Sequence, residues 1–169
     1  MKPLLIVDGY NVIGAYEADG MTEGILHEKR DRLRLQLEDY AGYTDTEIIL
    51  VFDGYLSDRG FVTEEKYDKL TVVFTKKGET ADSYIERLTA GAPKYREIRV
   101  ATSDNLEQSQ IFSSGAIRMS SKELIRLLDK TRSEGLYAHC NPSSNSKRNS
   151  IGQRVSENVY RELEKIRRS

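Results

Sequence analysis

The chain is poor in the residues that most often anchor special chemistry: it has no tryptophan, one cysteine and two histidines. A single thiol, Cys140, excludes an intramolecular disulfide, and a reducing cytoplasm is the expected compartment. His27 and His139 are too few and wrongly spaced for a structural zinc, and the adjacent pair His139-Cys140 lacks ligand spacing. No apolar run is long enough to span a bilayer. The N-terminal run stops at Asp8 with no small-residue cleavage site, so it reads as a buried strand and not as a signal peptide. A Ser-His-Asp pattern, a phosphate-cradling P-loop and a G-x-G-x-x-G run are all missing.

What is present is charge, unevenly spread. Residues 1–115 hold 14 Lys and Arg against 21 Asp and Glu, a balance of −7; residues 116–169 hold 12 against 6, a balance of +6. An acidic body with a basic C-terminal third suits a protein that positions a polyanion with one part and does metal chemistry with another. At 169 residues the chain is long enough for one domain that buries about two-thirds of its unfolded surface.

Short Val- and Ile-rich runs predict strands at 3–8, 47–53, 70–75 and 97–102, with a shorter fifth at 115–120. Their near-continuous apolar character is that of parallel strands covered on both faces. Between them, Leu26, Leu33, Leu37 and Tyr40 predict a helix ending near Gly42. Ala81, Ile85, Leu88 and Ala92 predict another, stopped by Pro93. A third, 120–130, opens on a capping box of Ser120 with Glu123. The alternation argues for an α/β domain with a mainly parallel sheet of four to five strands. Residues 54–69 read as a lid or long loop, and 139–153, rich in Ser and Asn, as a flexible linker. Beyond it, Ser156 caps an expected terminal helix whose inner face carries Leu163 and Ile166. The expected boundaries are a domain over 1–135 and a basic extension over 136–169.

Two stretches, "LLIVDGYN" and "IILVFDGY", each deliver an aspartate and a glycine to the end of a strand. Ligands of open parallel sheets bind outside the carboxyl ends of the strands. Asp8 ends the first strand, Asp53 the second, Asp104 follows the fourth, and Asp82 opens the helix after the third. Four carboxylates should therefore gather on one rim, joined by Asn11 and Glu79. Crowded carboxylates repel unless a cation sits among them, and oxygen ligands suit Mg²⁺ or Mn²⁺. Such a site supports metal-dependent phosphodiester hydrolysis. Each residue also has a plain structural role available: Asp104 as a helix cap with Glu107, Asp82 as a first-turn acid, Asp53-Gly54 and Asn11 as turn residues, and Tyr10 as a packing residue.

Taken together, "LLIVDGYNVIGA", "VFDGY", "VVFTKKGETADSYIERL", "VATSDNLEQ" and "GAIRMSSKELIRLL" resemble the YacP-like branch of the NYN domain family, over about residues 3–130. The resemblance implies a PIN-like, three-layer α/β/α fold with an acidic metal site. It implies an endoribonuclease dependent on Mg²⁺ or Mn²⁺ in a bacterial-type cytoplasm, with messenger RNA as substrate and the translating ribosome as a partner. Its metal-site acids fall on Asp8, Asp82 and Asp104, with Asn11 matching the asparagine of the motif and Asp53 at the edge of the cluster. Glu79 and Glu86 are expected to stand behind the ligands and support them.

The basic third supplies cations to hold RNA: Arg118, Lys122 and Arg126, each four residues from the next, then Lys147, Arg148 and Arg154. Tyr137 could stack an exposed base. A monomer is expected. Two phosphate-handling classes are disfavoured: a haloacid-dehalogenase-type phosphatase needs an acid where Tyr10 stands, and a receiver domain needs an acid pair near the first strand. The rival from another class is an RNA- or ribosome-binding module that keeps the fold and does not cut; metal binding separates the two.

Overall fold

The computed structural model describes residues 1–18, 20, 24–54, 60–102 and 115–140, the last five by backbone alone. Strands β1 (Leu4–Asp8), β2 (Glu47–Phe52), β3 (Thr63–Tyr67), β4 (Leu70–Phe74), β5 (Ile98–Thr102) and β6 (Ile117–Ser120) form one sheet in the order β3-β4-β2-β1-β5-β6. Every neighbouring pair is parallel except β3 with β4. Helices α1 (Gly9–Ala18) and α2 (Leu26–Thr44) connect β1 to β2, α3 (Ala81–Ala90) connects β4 to β5, and α4 (Ser121–Cys140) follows β6.

β1 sits in the middle of the sheet, and all five of its residues are buried. Its side chains alternate between two apolar layers. Leu5 and Val7 join Val12, Ile13, Leu33, Leu37, Leu124 and Leu128 on one face, while Leu4 and Ile6 join Ala81, Tyr84 and Ile85 on the other. The first layer lies under α1, α2 and α4, and the second under α3. The result is the expected three-layer α/β/α arrangement.

The structure departs from the sequence reading in four places. The sheet has six strands, not four or five, because residues 63–67, "TEEKY", form an edge strand within the segment read as a lid or loop. That strand buries no residue fully, so no apolar pattern announces it; its charges suit an exposed edge. It is joined to β4 by a two-residue turn, Asp68-Lys69, in which Asp68 takes a positive φ of 23°. Second, a helix, α1, begins directly after Asp8 where a turn was expected. Third, α2 continues through Gly42 to Thr44, and Leu26, counted on its buried face, is exposed in the first turn. Fourth, α4 runs on to Cys140, so residues 139 and 140 belong to a helix and not to a linker.

One half of the capping box expected at Ser120 and Glu123 is present, and α3 has a cap that was not anticipated. The Ser120 hydroxyl accepts from the Glu123 N–H at 3.1 Å, and Thr80 caps α3 by accepting from the Ser83 N–H at 3.2 Å. No helix among the described residues is long and apolar enough to cross a membrane. The expected terminal helix and the remainder of the linker, 141–169, lie outside the described residues.

Candidate active site

Parallel pairing aligns the carboxyl ends of β1, β2, β4, β5 and β6 along one edge. Asp8, the last residue of β1, is only 5% exposed there. A carboxylate at the centre of a sheet edge needs hydrogen bonds to remain charged, and α1 provides them by starting at once. The Asn11 N–H donates to Asp8 Oδ1 at 3.2 Å, and Asn11 Nδ2 donates to Asp8 Oδ2 at 2.7 Å. The Asn11 amide also reaches Thr102 Oγ1, at 3.4 Å, across the strand junction. Its N–H protons are thus directed at protein oxygens, and its part is to hold the plane of the Asp8 carboxylate. Each Asp8 oxygen still has acceptor capacity for a second partner.

Burial pushes the Asp8 carboxyl above the ordinary range; the Asn11 backbone N–H opposes this, and the negative charge of Asp82 adds to it. Asp82 stands exposed in the first turn of α3, where it also complements the helix dipole. Asp8 and Asp82 therefore sense each other's charge across the rim. Asp53, half-buried, directly follows β2. Its position is set by a stitch that sequence reading did not anticipate: the Gly54 N–H donates to Thr75 Oγ1 at 2.8 Å, and that hydroxyl donates to the Glu79 carbonyl at 2.6 Å. The turn after β2 is thereby tied to the turn that leads into Asp82.

Both glycines of the repeated Asp-Gly-Tyr are required by close approach. A Cβ on Gly9 would lie 2.3 Å from the Phe52 ring, and one on Gly54 would lie 1.7 Å from the Thr75 carbonyl oxygen. Gly9 is the first residue of a helix pressed onto Phe52, so its use is packing and not a sharp bend. Tyr10 is a packing residue as expected, with its ring 5.1 Å from that of Phe52.

Glu79 lies behind the rim with its side chain 8% exposed, in an ion pair with Arg87. Glu86 is exposed on α3. Asp104 lies outside the described residues, as do Lys147, Arg148 and Arg154; the side chain of Tyr137 is not described. The strand that leads to Asp104 is anchored at the rim, since the Ser121 hydroxyl donates to the Thr102 carbonyl at 2.9 Å. Among the described residues no three acids, histidines or cysteines are placed to hold a metal together. The donor set at the rim is nonetheless all carboxylate, which fits a hard divalent cation. Of the basic residues, Lys122 and Arg126 lie exposed on α4. Arg118 does not share their helix: it is a half-buried residue of β6, level with Val100 of β5. Residues that sequence reading missed are Thr75, Thr102 and Ser121, whose hydroxyls look in sequence like those of any strand or helix end.

A three-layer α/β domain with an acidic carboxyl edge is the architecture of the PIN-like nuclease domains. The chain belongs to the YacP-like NYN domain family, whose sequence profile matches residues 5–168. It is 40% identical over 125 residues to protein YacP of Bacillus subtilis (strain 168), covering 73% of each chain. Two crystal structures of Rae1 (YacP) from Bacillus subtilis share the fold at 34% identity. One, of a mutant, superposes with a TM-score of 0.67 over 86% of each chain; the other has a TM-score of 0.57 over 100% of this chain and 96% of that one. NYN domains are a PIN-like nuclease family, and PIN-like nuclease domains generally use divalent metals.

Proposed function

We propose that the chain is a metal-dependent endoribonuclease that hydrolyses phosphodiester bonds in RNA, with Asp8, Asp82 and Asp104 as the ligands of Mg²⁺ or Mn²⁺ and Asp53 at the edge of the cluster. The observation that carries this reading is the state of Asp8: a buried carboxylate, oriented by Asn11 through both oxygens and destabilised by burial and by Asp82. That is an arrangement a divalent cation relieves. When bound, the cation would lower the pKa of a water and neutralise charge on the phosphoryl group.

The chain's own contribution is positional. Asn11 fixes the Asp8 carboxylate, Thr102 holds Asn11, and the Gly54–Thr75–Glu79 stitch carries Asp53 and Asp82 to the same edge. In the reaction, water adds to phosphorus, the bond from phosphorus to the leaving ribose oxygen breaks, and that oxygen takes up a proton. Messenger RNA is the substrate in this reading, in the cytoplasm, with the translating ribosome presenting it and the protein acting as a monomer. A basic extension over residues 136–169, with Lys122 and Arg126 on α4, holds the RNA backbone.

The test is cleavage of a labelled messenger RNA in Mn²⁺ or Mg²⁺, with and without translating ribosomes, by wild type and Asp8→Asn. Cutting by wild type alone, abolished by EDTA, is the expected result. Equal cutting or equal silence under all conditions overturns the reading and leaves an RNA-binding module without turnover.

A further inference from the structure

A polyanion must approach a body that carries −7 over residues 1–115, so cations near the acidic rim are of interest. The C-terminus of α2 lies at the amino edge of the sheet, because Asp45, its C-cap, pairs with Lys2 before β1 and with Lys69 before β4. The first turns of α2 therefore lie at the carboxyl edge. There the Arg30 guanidinium stands 5.9 Å from the ring centres of both Phe52 and Phe74, the last residues of β2 and β4. Phe52 in turn precedes Asp53 and abuts Gly9, the residue after Asp8. A cavity of about 150 Å³ opens at this point, lined by His27, Arg30, Asp31, Arg34, Glu65 and Phe74 among others.

Most polar groups of the cavity are already engaged. Arg34 pairs with Glu38 at 2.7 Å, approaches Asp31 at 3.9 Å and covers the Tyr67 ring at 4.7 Å. His27 faces Asp31 at 3.5 Å, and Glu65 accepts from the Tyr67 hydroxyl at 3.0 Å. Arg30 differs. Among the described residues its Nε is buried without a hydrogen-bond partner, and it has no ion pair. Leaving such a donor unsatisfied is unfavourable, and the contact with two aromatic rings offsets this only in part. An acceptor that enters the cavity from outside the chain would pair with the guanidinium charge, which no carboxylate among the described residues neutralises. The planar fork of arginine suits a phosphate in particular, and the cavity has room for one with a few waters at about 30 Å³ each.

We propose that this cavity is a subsite for a backbone phosphate of the RNA substrate, bound by Arg30 beside the acidic rim. The inference rests on the ribonuclease reading, and its test is independent of turnover. Binding of a short fluorescein-labelled single-stranded oligoribonucleotide is followed by anisotropy over a NaCl series, in Asp8→Asn as parent. Arg30→Met keeps the stem on the phenylalanine rings and removes the charge; Arg30→Gln is a second neutral variant should the first misfold. Either neutral variant is expected to bind about tenfold more weakly, with the slope of log K on log salt shallower by ~0.7, the share of one phosphate on a single strand. Arg30→Lys is expected to restore the slope. Neutral variants that bind within twofold of the parent at an unchanged slope overturn the subsite, as does a parent that binds no RNA. Failure of wild type to cut, with the Arg30 dependence intact, would instead remove the ribonuclease reading and leave the phosphate site standing.

Discussion

Asp8 shows how a single residue joins fold and chemistry. Its carboxyl is raised by burial, so the charged form destabilises the metal-free protein. The sign follows: stability associated with this group is full below its unfolded value of 3.8 and is lost as pH rises through the higher folded value. Asp8→Asn removes the charge, and Asn11 can turn its amide to suit the new side chain. The metal-free variant is therefore expected to melt above wild type at neutral pH, with the difference shrinking below about pH 4. Adding Mn²⁺ should raise the melting temperature of wild type and leave Asp8→Asn unmoved; equal shifts in both would place the ion elsewhere. Gly9 makes a second prediction at this scale. Gly9→Ala drives a Cβ into the Phe52 ring, and overpacking of this kind costs about 1–3 kcal/mol, readable by urea denaturation. Gly54→Ala should cost more, because the obstacle is a backbone carbonyl that cannot turn away. The candidate acids were legible in the sequence because each closes an apolar run or opens a helix. The hydroxyls that hold them, Thr75 and Thr102, were not, because nothing local distinguishes a threonine that stitches two turns from one that merely ends a strand.

Among the elements, α1 and β3 escaped sequence reading for opposite reasons. α1 carries a usable helical pattern, with Gly9, Val12, Ile13 and Tyr16 buried at spacings of three and four. Two glycines, an asparagine and two β-branched residues lower its intrinsic propensity, so the same letters read equally well as a strand end and turn. Packing against the sheet and α2 decides in favour of the helix. β3 has no pattern to read, and exists because β4 offers it an edge. α2 was legible from Leu33 and Leu37, though its end was not. Asp45 closes it in the left-handed region at φ 55°, held by Lys69 and Lys2, which lower its carboxyl to about 2. A depressed value means that the pairing stabilises above the unfolded value of 3.8 and is lost as pH falls through about 2. Asp45→Asn tolerates the same backbone but loses the charge. Its melting temperature should fall below wild type at pH 5 to 7 and converge with it near pH 2, and added salt should narrow the gap because the group is exposed. A gap that persists at pH 2 would mean that the backbone, not the ion pairs, is responsible.

For the whole molecule, the charge asymmetry and the compact unit Met1–Tyr137 make separate claims. A chain ending at residue 140 keeps the acidic rim and loses Lys147, Arg148 and Arg154. It is expected to unfold cooperatively and keep its Mn²⁺-induced thermal shift, while its RNA affinity falls by about tenfold or more and its salt dependence flattens. Unchanged RNA affinity would confine the binding surface to the α/β unit. The sequence by itself determined which segments are buried strands, since only apolar runs can be covered on both faces, and it showed that two of them, β1 and β2, bring Asp8 and Asp53 to their carboxyl ends. Periodicity likewise marked the inner faces of α2, α3 and α4. Tertiary structure decided what local pattern cannot encode: that "TEEKY" is a strand, that the chain turns into a helix immediately after Asp8, and that Arg30 stands over Phe52 and Phe74. Each depends on a partner distant in sequence, and the free energy that selects it comes from pairing and packing with that partner and not from the segment itself.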